Sequence, residues 1–413
     1  MRTIIAFIIV FVILVLVHEF GHFFFAKRSG ILVREFSIGM GPKLFATRRN
    51  NTTYTLRLLP LGGYVRMAGW QDDDDEIKPG TTLTLTLNEA GVVTRINTSN
   101  KVTLQGGVPV QVDHLDLVND LSITGYENGD DSALKTFAVD HDATIIEPDG
   151  TEVVIAPSDV QFQNASVWRR LLVNFAGPMN NFLLAILAFI VVGLLSGVPQ
   201  PNTNQIGTVE AGSPAAKAGL AANAHVQSIN GTKIANFTDV QKAIKAQKND
   251  RLTVVAKQAG TTKTVTITPN KQGMIGVGVH VDHGLGVSVR YGFTQTWELT
   301  TRVLTVLKSM VTGHFSLNKL AGPVGIYKMT ETSAQGGLIS LIIFLGYLSL
   351  NLGIMNLIPI PVLDGGKILL NLLEIVRRKP LSQEKEGVVT LIGAGLMVLL
   401  LIAVTINDIM RQF

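Results

Sequence analysis

Ile13-Leu14-Val15-Leu16-Val17-His18-Glu19-Phe20-Gly21-His22-Phe23-Phe24-Phe25-Ala26 is the stretch on which the reading of this chain turns. It sets two histidines and a glutamate into an apolar run, Ile4 to Ala26, that is long enough to cross a bilayer, which takes ~20 helical residues. The run is too long, and too polar in its second half, for a cleaved leader, and no small-residue cleavage site follows it, so it is expected to be retained. On a helix, residues four apart project from one face. His18 and His22 can therefore grip one metal ion with Glu19 beside it. Imidazole and carboxylate ligands with an open fourth position suit catalytic zinc, which lowers the pKa of a bound water to ~7. Glu19 is then placed to take that water's proton as general base and pass it to a leaving amine. The competing reading is a chance match. A carboxylate inside lipid costs at least ~2 kcal/mol if nothing compensates, so ionisable groups at this depth point to function.

The rest of the 413-residue chain fits a membrane protein: 46% is hydrophobic, only 16% is charged, and the mean hydropathy is +0.33. With no cysteine, disulfides, iron–sulfur clusters and thiolate zinc sites are excluded, so any metal must be held by His, Asp or Glu. A net charge of +4 does not suggest a nucleic-acid partner. Further spans are expected at Leu171 to Gly197, Leu338 to Ile358 and Gly387 to Ile406, with an amphipathic helix at Phe293 to Val311 carrying Glu298, Arg302 and Lys308.

The expected fold class is thus an α-helical polytopic membrane protein with four transmembrane helices. Basic clusters stay on the cytoplasmic side. They occur at Lys27, Arg28, Arg34, Lys43, Arg48 and Arg49, at Arg169 and Arg170, and at Arg377, Arg378 and Lys379. Both chain ends and residues 198–337 are then expected to face outward. Trp70 and Trp168 are candidate interfacial anchors, with ordinary packing as the alternative.

Two polar regions remain. Residues 71–167 open on the acidic run Asp72 to Asp75 and continue through alternating strings such as Thr82-Leu83-Thr84-Leu85-Thr86-Leu87, as expected of a cytoplasmic β-rich insertion. The acidic run lacks EF-hand spacing and reads as a solvated loop. Residues 199–275 alternate strand-like and helix-like runs, as in a compact α+β module. A connecting segment, 276–335, carries the amphipathic helix, and 336–413 holds the last two spans. His280 and His283 read as exposed loop histidines, a second metal site being the alternative.

Two histidines leave a metal site incomplete. The best third ligand is Asp364 in Pro359-Ile360-Pro361-Val362-Leu363-Asp364-Gly365-Gly366, where two prolines break the third span as it leaves the hydrocarbon and glycines permit close backbone approach. A solvent-facing turn aspartate is the alternative.

With these motifs in place the chain resembles the site-2 protease family of intramembrane zinc metalloproteases, in its bacterial RseP/RasP-like group. The resemblance rests on His18 to His22, Phe36-Ser37-Ile38-Gly39-Met40-Gly41-Pro42, Leu59-Pro60-Leu61-Gly62-Gly63-Tyr64-Val65, Ala176-Gly177-Pro178 with Asn181-Phe182, and Asn351 through Gly366. It implies Asp364 as third zinc ligand. It also implies a membrane-reentrant β-hairpin over Ile31 to Met67 that pairs with substrate through the region of Gly62, Gly63 and Tyr64, and asparagines, here Asn351 and Asn356, that hold the substrate backbone. Packing between spans is the structural alternative for those amides.

Gly212-Ser213-Pro214 through Leu220, followed by Val226 to Gly231, resembles a single extracytoplasmic PDZ domain. The implied activity is regulated intramembrane proteolysis of single-pass membrane proteins such as anti-sigma factors, and of signal-peptide remnants. The alternative is a non-enzymatic membrane PDZ scaffold or receptor with a structural metal.

Overall fold

The computed structural model describes residues 2–69, 77–128, 133–246, 250–379 and 382–411. Trp70 and the acidic run Asp72 to Asp75 lie outside the described residues. In chain order the elements begin with α1 (Arg2–Arg28), β1 (Val33–Arg49), β2 (Thr52–Met67), β3 (Thr82–Leu87), β4 (Val93–Asn97), β5 (Val108–Asp116), β6 (Ser122–Glu127), β7 (Leu134–Ile146), β8 (Glu152–Val154) and α2 (Val167–Ser196). There follow β9 (Val198–Pro199), β10 (Ile206–Val209), α3 (Pro214–Lys217), β11 (His225–Ile229), β12 (Thr232–Lys233), α4 (Phe237–Ala246), β13 (Leu252–Gln258), β14 (Thr261–Ile267), β15 (Val277–Val279) and β16 (Val281–Asp282). The last helices are α5 (Leu285–Val311), α6 (Pro323–Gln335), α7 (Gly337–Asn356), α8 (Asp364–Arg377) and α9 (Gln383–Met410). The contacts divide the chain into one unit of residues 1–185 with 298–413 and another of 186–297.

Among the described residues, four helices are long and apolar enough to cross a membrane: α1, α2, α7 and the part of α9 from Lys385 to Met410. Between 11% and 33% of the apolar window of each is buried against protein, which leaves most of that surface to be covered by lipid. The weaker expected helix, Phe293 to Val311, is the second part of α5.

The third span ends differently from expectation. α7 stops at Asn356, Pro359 and Pro361 keep the following segment out of helix, and Asp364 opens a separate helix, α8, rather than lying on the end of the span. α8 escaped a search for long apolar runs because its apolar residues, Ile368, Leu369, Leu372 and Val376 among them, alternate with polar ones at helical period.

β1 and β2 form an antiparallel two-stranded sheet. Asn50 and Asn51, at φ 50° and 60°, supply the left-handed pair a tight hairpin turn requires. Near that turn the register runs from Arg49↔Thr52 to Lys43↔Arg57, while Glu35 to Ile38 lie against Thr53 to Leu56 on one side and against Gly63 to Arg66 on the other. The first half of β1 is thus held between the two halves of β2, and the strand through Tyr64 forms a margin of the sheet. Met40, Leu44, Phe45, Leu58 and Leu59 are exposed apolar residues toward its far end.

Strands β3 to β8 form one sheet in the order β4-β3-β5-β6-β7-β8, and a parallel pairing of β4 with β7 closes it into a barrel. The Thr-Leu alternation of β3 puts Leu83 and Leu85 inside, at 1% and 0% exposure, among Val93, Val110, Ile123 and Phe137.

The unit of residues 186–297 holds short strands and helices between the end of α2 and the start of α5. A four-stranded sheet, β12-β11-β13-β14, and the pair β10-β15 enclose a core that includes Ile206, Leu220, Val226, Val240, Leu252 and Ile267. Ser213 caps α3, its hydroxyl accepting from the Ala216 N–H at 3.2 Å, and Pro214 occupies the first turn, where no amide is needed.

Candidate metal centre

The site begins with two glycines. A Cβ on Gly21 of α1 would lie 2.4 Å from the Ala176 carbonyl oxygen of α2, and a Cβ on Gly177 would lie 2.3 Å from His22 Nε2 and 2.7 Å from His18 Cε1. Only hydrogen fits at these points, so the two helices touch where the imidazoles stand.

α2 also fixes the tautomers. His22 Nδ1 donates to the Val173 carbonyl at 2.8 Å, which leaves its Nε2 with a free lone pair. His18 Nδ1 lies 3.0 Å from the side-chain amide nitrogen of Asn181, whose buried oxygen has no partner. Turning that amide end for end lets the oxygen accept from Nδ1–H and frees the His18 Nε2 lone pair as well. Ser349 Oγ of α7 donates to the Asn181 carbonyl at 2.8 Å, tying a third helix to the same bracket.

Asp364, the expected third ligand, arrives through a tight corner. Val362 has φ 94°, a strained value for a β-branched residue. Cβ atoms on Gly365 and Gly366 would each come within 2.3 Å of a backbone oxygen, that of Leu357 and that of Ile360 respectively. Asp364 Oδ2 is thereby brought to 3.3 Å from His18 Nε2 and 3.4 Å from His22 Nε2, and the two Nε2 atoms are 3.3 Å apart. Donors bound tetrahedrally to zinc at ~2.0–2.1 Å stand about 3.3–3.4 Å from one another, so the three atoms form one face of such a tetrahedron. His18, His22 and Asp364 are 9%, 5% and 8% exposed, and Asp364 Oδ2 is a buried oxygen with no hydrogen-bond partner. The donor set and its spacing fit zinc.

These residues open onto a cavity of about 450 Å³. Glu19 lines it beside the histidines, as do Tyr64 of β2 and Asn356 at the end of α7. Gly63 lies against the same place, its absent Cβ falling 3.7 Å from Glu19 Cγ, and Gly62, at φ 103°, precedes it on the strand. Asn351 is not among the lining residues, and its Nδ2 donates within its own helix to the Tyr347 carbonyl at 2.8 Å.

Lys367, Arg66 and Val362 line the cavity without having been singled out from sequence, and Asn181 and Gly177 were noted only as parts of a motif. Lys367 follows Asp364 by three residues, a helical spacing that becomes readable once α8 is known to start at Asp364. His280 Nε2 lies 3.3 Å from Asp282 Oδ1, and among the described residues only His18, His22 and Asp364 form a group suited to a metal.

The family model described as peptidase family M50 matches residues 6–400. The chain belongs to peptidase family M50, the site-2 protease family. The Enterococcus faecalis protein "Probable protease eep" is 52% identical over 422 residues, covering 100% of both chains. Relatives from Streptococcus pyogenes and Lactococcus lactis that carry zinc metalloprotease in their names are 51% and 45% identical, covering 100% of this chain and 100% and 99% of their own. This M50 chain is a zinc metalloprotease and a membrane protein, which sets the non-enzymatic scaffold aside.

Proposed function

We propose that this M50 protease cuts transmembrane segments of single-pass membrane proteins and signal-peptide remnants within the bilayer, in regulated intramembrane proteolysis, with anti-sigma factors as one substrate class. His18, His22 and Asp364 hold zinc, which when bound supplies a Lewis acid for the attacking water and the scissile carbonyl. Glu19 takes the proton of the attacking water and delivers it to the leaving amine. A helical substrate hides its carbonyls in internal hydrogen bonds and must unwind to be cut. The margin of β2 from Gly62 through Tyr64 offers partners to the unwound strand, with Asn356 lining the same cavity as Tyr64. The observation that carries this reading is the triangle of Nε2, Nε2 and Oδ2 atoms at 3.3, 3.3 and 3.4 Å beside Glu19.

The distribution of basic residues supports a multi-pass arrangement in the cell membrane, with the zinc site near the cytoplasmic side, residues 71–167 cytoplasmic and the 199–275 module outside. In this reading that module is a PDZ domain, which binds extended peptides by strand addition and screens or recognises substrates. Glu19→Gln tests the assignment: the variant is expected to keep its zinc and lose cleavage, and membrane-protein fragments absent from cells carrying it identify the substrates. A Glu19→Gln protein that still cleaves contradicts the role.

A further inference from the structure

The barrel of β3 to β8 has no part in the chemistry described so far, yet one of its turns reaches the wall of the catalytic cavity. Between β7 and β8 the chain runs Glu147-Pro148-Asp149-Gly150. The Gly150 N–H donates to the Glu147 carbonyl at 2.8 Å, Asp149 Oδ1 accepts from the Thr151 N–H at 2.6 Å, and Gly150 takes φ 86°. Proline, an aspartate side-chain bond and a left-handed glycine make this a stiff turn.

Its acidic groups face cations of the hairpin. Glu147 Oε1 is 2.5 Å from Arg66 Nη1, Glu152 Oε1 is 3.5 Å from Arg48 Nη1, and Lys43 Nζ donates to Thr151 Oγ1 at 3.1 Å. Asp149 is pushed up by burial but held below the usual carboxylate range by bonds from Thr151 and by the charges of Lys43 and Arg57. Two bonds to the barrel backbone complete the contact: Thr53 Oγ1 to the Glu152 carbonyl at 2.6 Å, and Arg34 Nε to the Val154 carbonyl at 2.9 Å.

The barrel therefore grips the sheet that borders the cavity. Of these hairpin groups Arg66 lines the cavity itself, in sequence between Val65 and Met67, which line it too. We propose that the barrel is a stator for the cavity-side strand β2, and that Glu147, acting through Arg66, is a positioning residue that decides which substrate bond meets the metal centre. This rests on the reading of the cavity as the substrate site. A substrate strand added to β2 inherits that strand's position, and a 1 Å misplacement of reacting groups costs on the order of 100-fold in rate. Plain docking of one subdomain on another predicts something different, a change in stability alone.

The test uses the purified full-length chain in detergent, a panel of tagged synthetic signal peptides as probe, product masses to locate the cut, and zinc content in parallel. Glu147→Gln is expected to keep its zinc, raise KM about five-fold, as for a half-exposed ion pair, and spread cleavage from one bond to its neighbours. The exchange Glu147→Arg with Arg66→Glu should return both KM and the cut position toward the wild type, because the pair is coupled. Unchanged KM and cut position in Glu147→Gln overturn the proposal. So does a loss of activity in step with loss of zinc, or a double exchange no better than either single change. If the cavity reading itself is at fault, the result is distinct: the wild type cuts no peptide of the panel and matches Glu19→Gln.

Discussion

The metal centre and the barrel–hairpin contact are both held by groups far apart in sequence, and they are built in opposite ways. At the metal centre, α1 and α2 meet at Gly21 and Gly177, and Gly365 and Gly366 fold the α8 corner onto the backbone just before it; at each a neighbouring atom lies less than 3 Å from where a Cβ would stand. At the contact, charged side chains with 20–30% of their surface in water, such as Glu147, Arg66 and Glu152 at 22%, 21% and 29%, bridge the gap. Close packing fixes atoms to fractions of an ångström and tolerates no extra volume. Partly buried ion pairs of this kind tolerate exchange better than close packing does. The first arrangement suits a metal that must be held, the second a surface whose alignment must be set.

That contrast is broken first at Gly177. Gly177→Ala places a methyl on the imidazole edges, and zinc retention measured on the purified protein should fall to background, with activity reduced 100-fold or more. Retention of a full zinc equivalent would mean that α1 and α2 separate without cost and that the close approach is not needed.

A step smaller is Asn181→Leu, which removes the amide bracketing His18 while leaving the three donors. Loss of such a partner typically costs 10–100-fold in metal affinity, read by competition with a chelator. An unchanged affinity would show that His22 and Asp364 orient the site alone.

The barrel side is sharpened by pH. Burial pushes Glu152 up, but bonds from Arg95 and Thr144 and the charges of Arg95 and Arg48 hold it below the usual carboxylate range. A carboxylate depressed in the folded state contributes stability that is present above its unfolded pKa of ~4.3 and is lost as pH falls through the folded value. The thermal midpoint of the barrel should thus drop below about pH 4, and Glu152→Gln should flatten that acid limb. A variant with the wild-type acid limb would remove Glu152 from the account.

The smallest expected effect is at His141, which Asp159 raises through a hydrogen bond, its ring Nε2 lying 3.1 Å from the carboxylate, while slight burial opposes. The contribution of a raised histidine is complete below ~6.5 and fades as pH rises through its folded value. His141→Asn should cost at most about 1 kcal/mol of stability at pH 5.5 and nothing at pH 8.5. An equal cost at both values would assign the residue to packing rather than charge.

How much of this was legible in the sequence follows the same division. His18, Glu19 and His22 are readable because their relation is local, one turn of a single helix. Asp364 is readable because proline and glycine mark a chain corner, yet the helix it opens was not, since α8 is amphipathic and hides from a search for unbroken apolar runs. Asn181 and Gly177 matter through their distance to imidazoles more than 150 residues away, which no spacing rule encodes. The β-rich character of residues 71–167 was plain from the alternation in β3. The parallel β4–β7 pairing that closes the barrel, and the meeting of Glu147 with Arg66, arise only from the fold.

The central claim is that His18, His22 and Asp364 hold one zinc ion together, and its most direct test is the zinc K-edge absorption spectrum of the purified full chain beside that of Asp364→Ala. The account predicts a low-coordinate site of two imidazole nitrogens and carboxylate or water oxygens at about 2.0–2.1 Å, altered in the Asp364→Ala spectrum or lost together with the metal. A spectrum and a zinc content that ignore the change at Asp364 would contradict it.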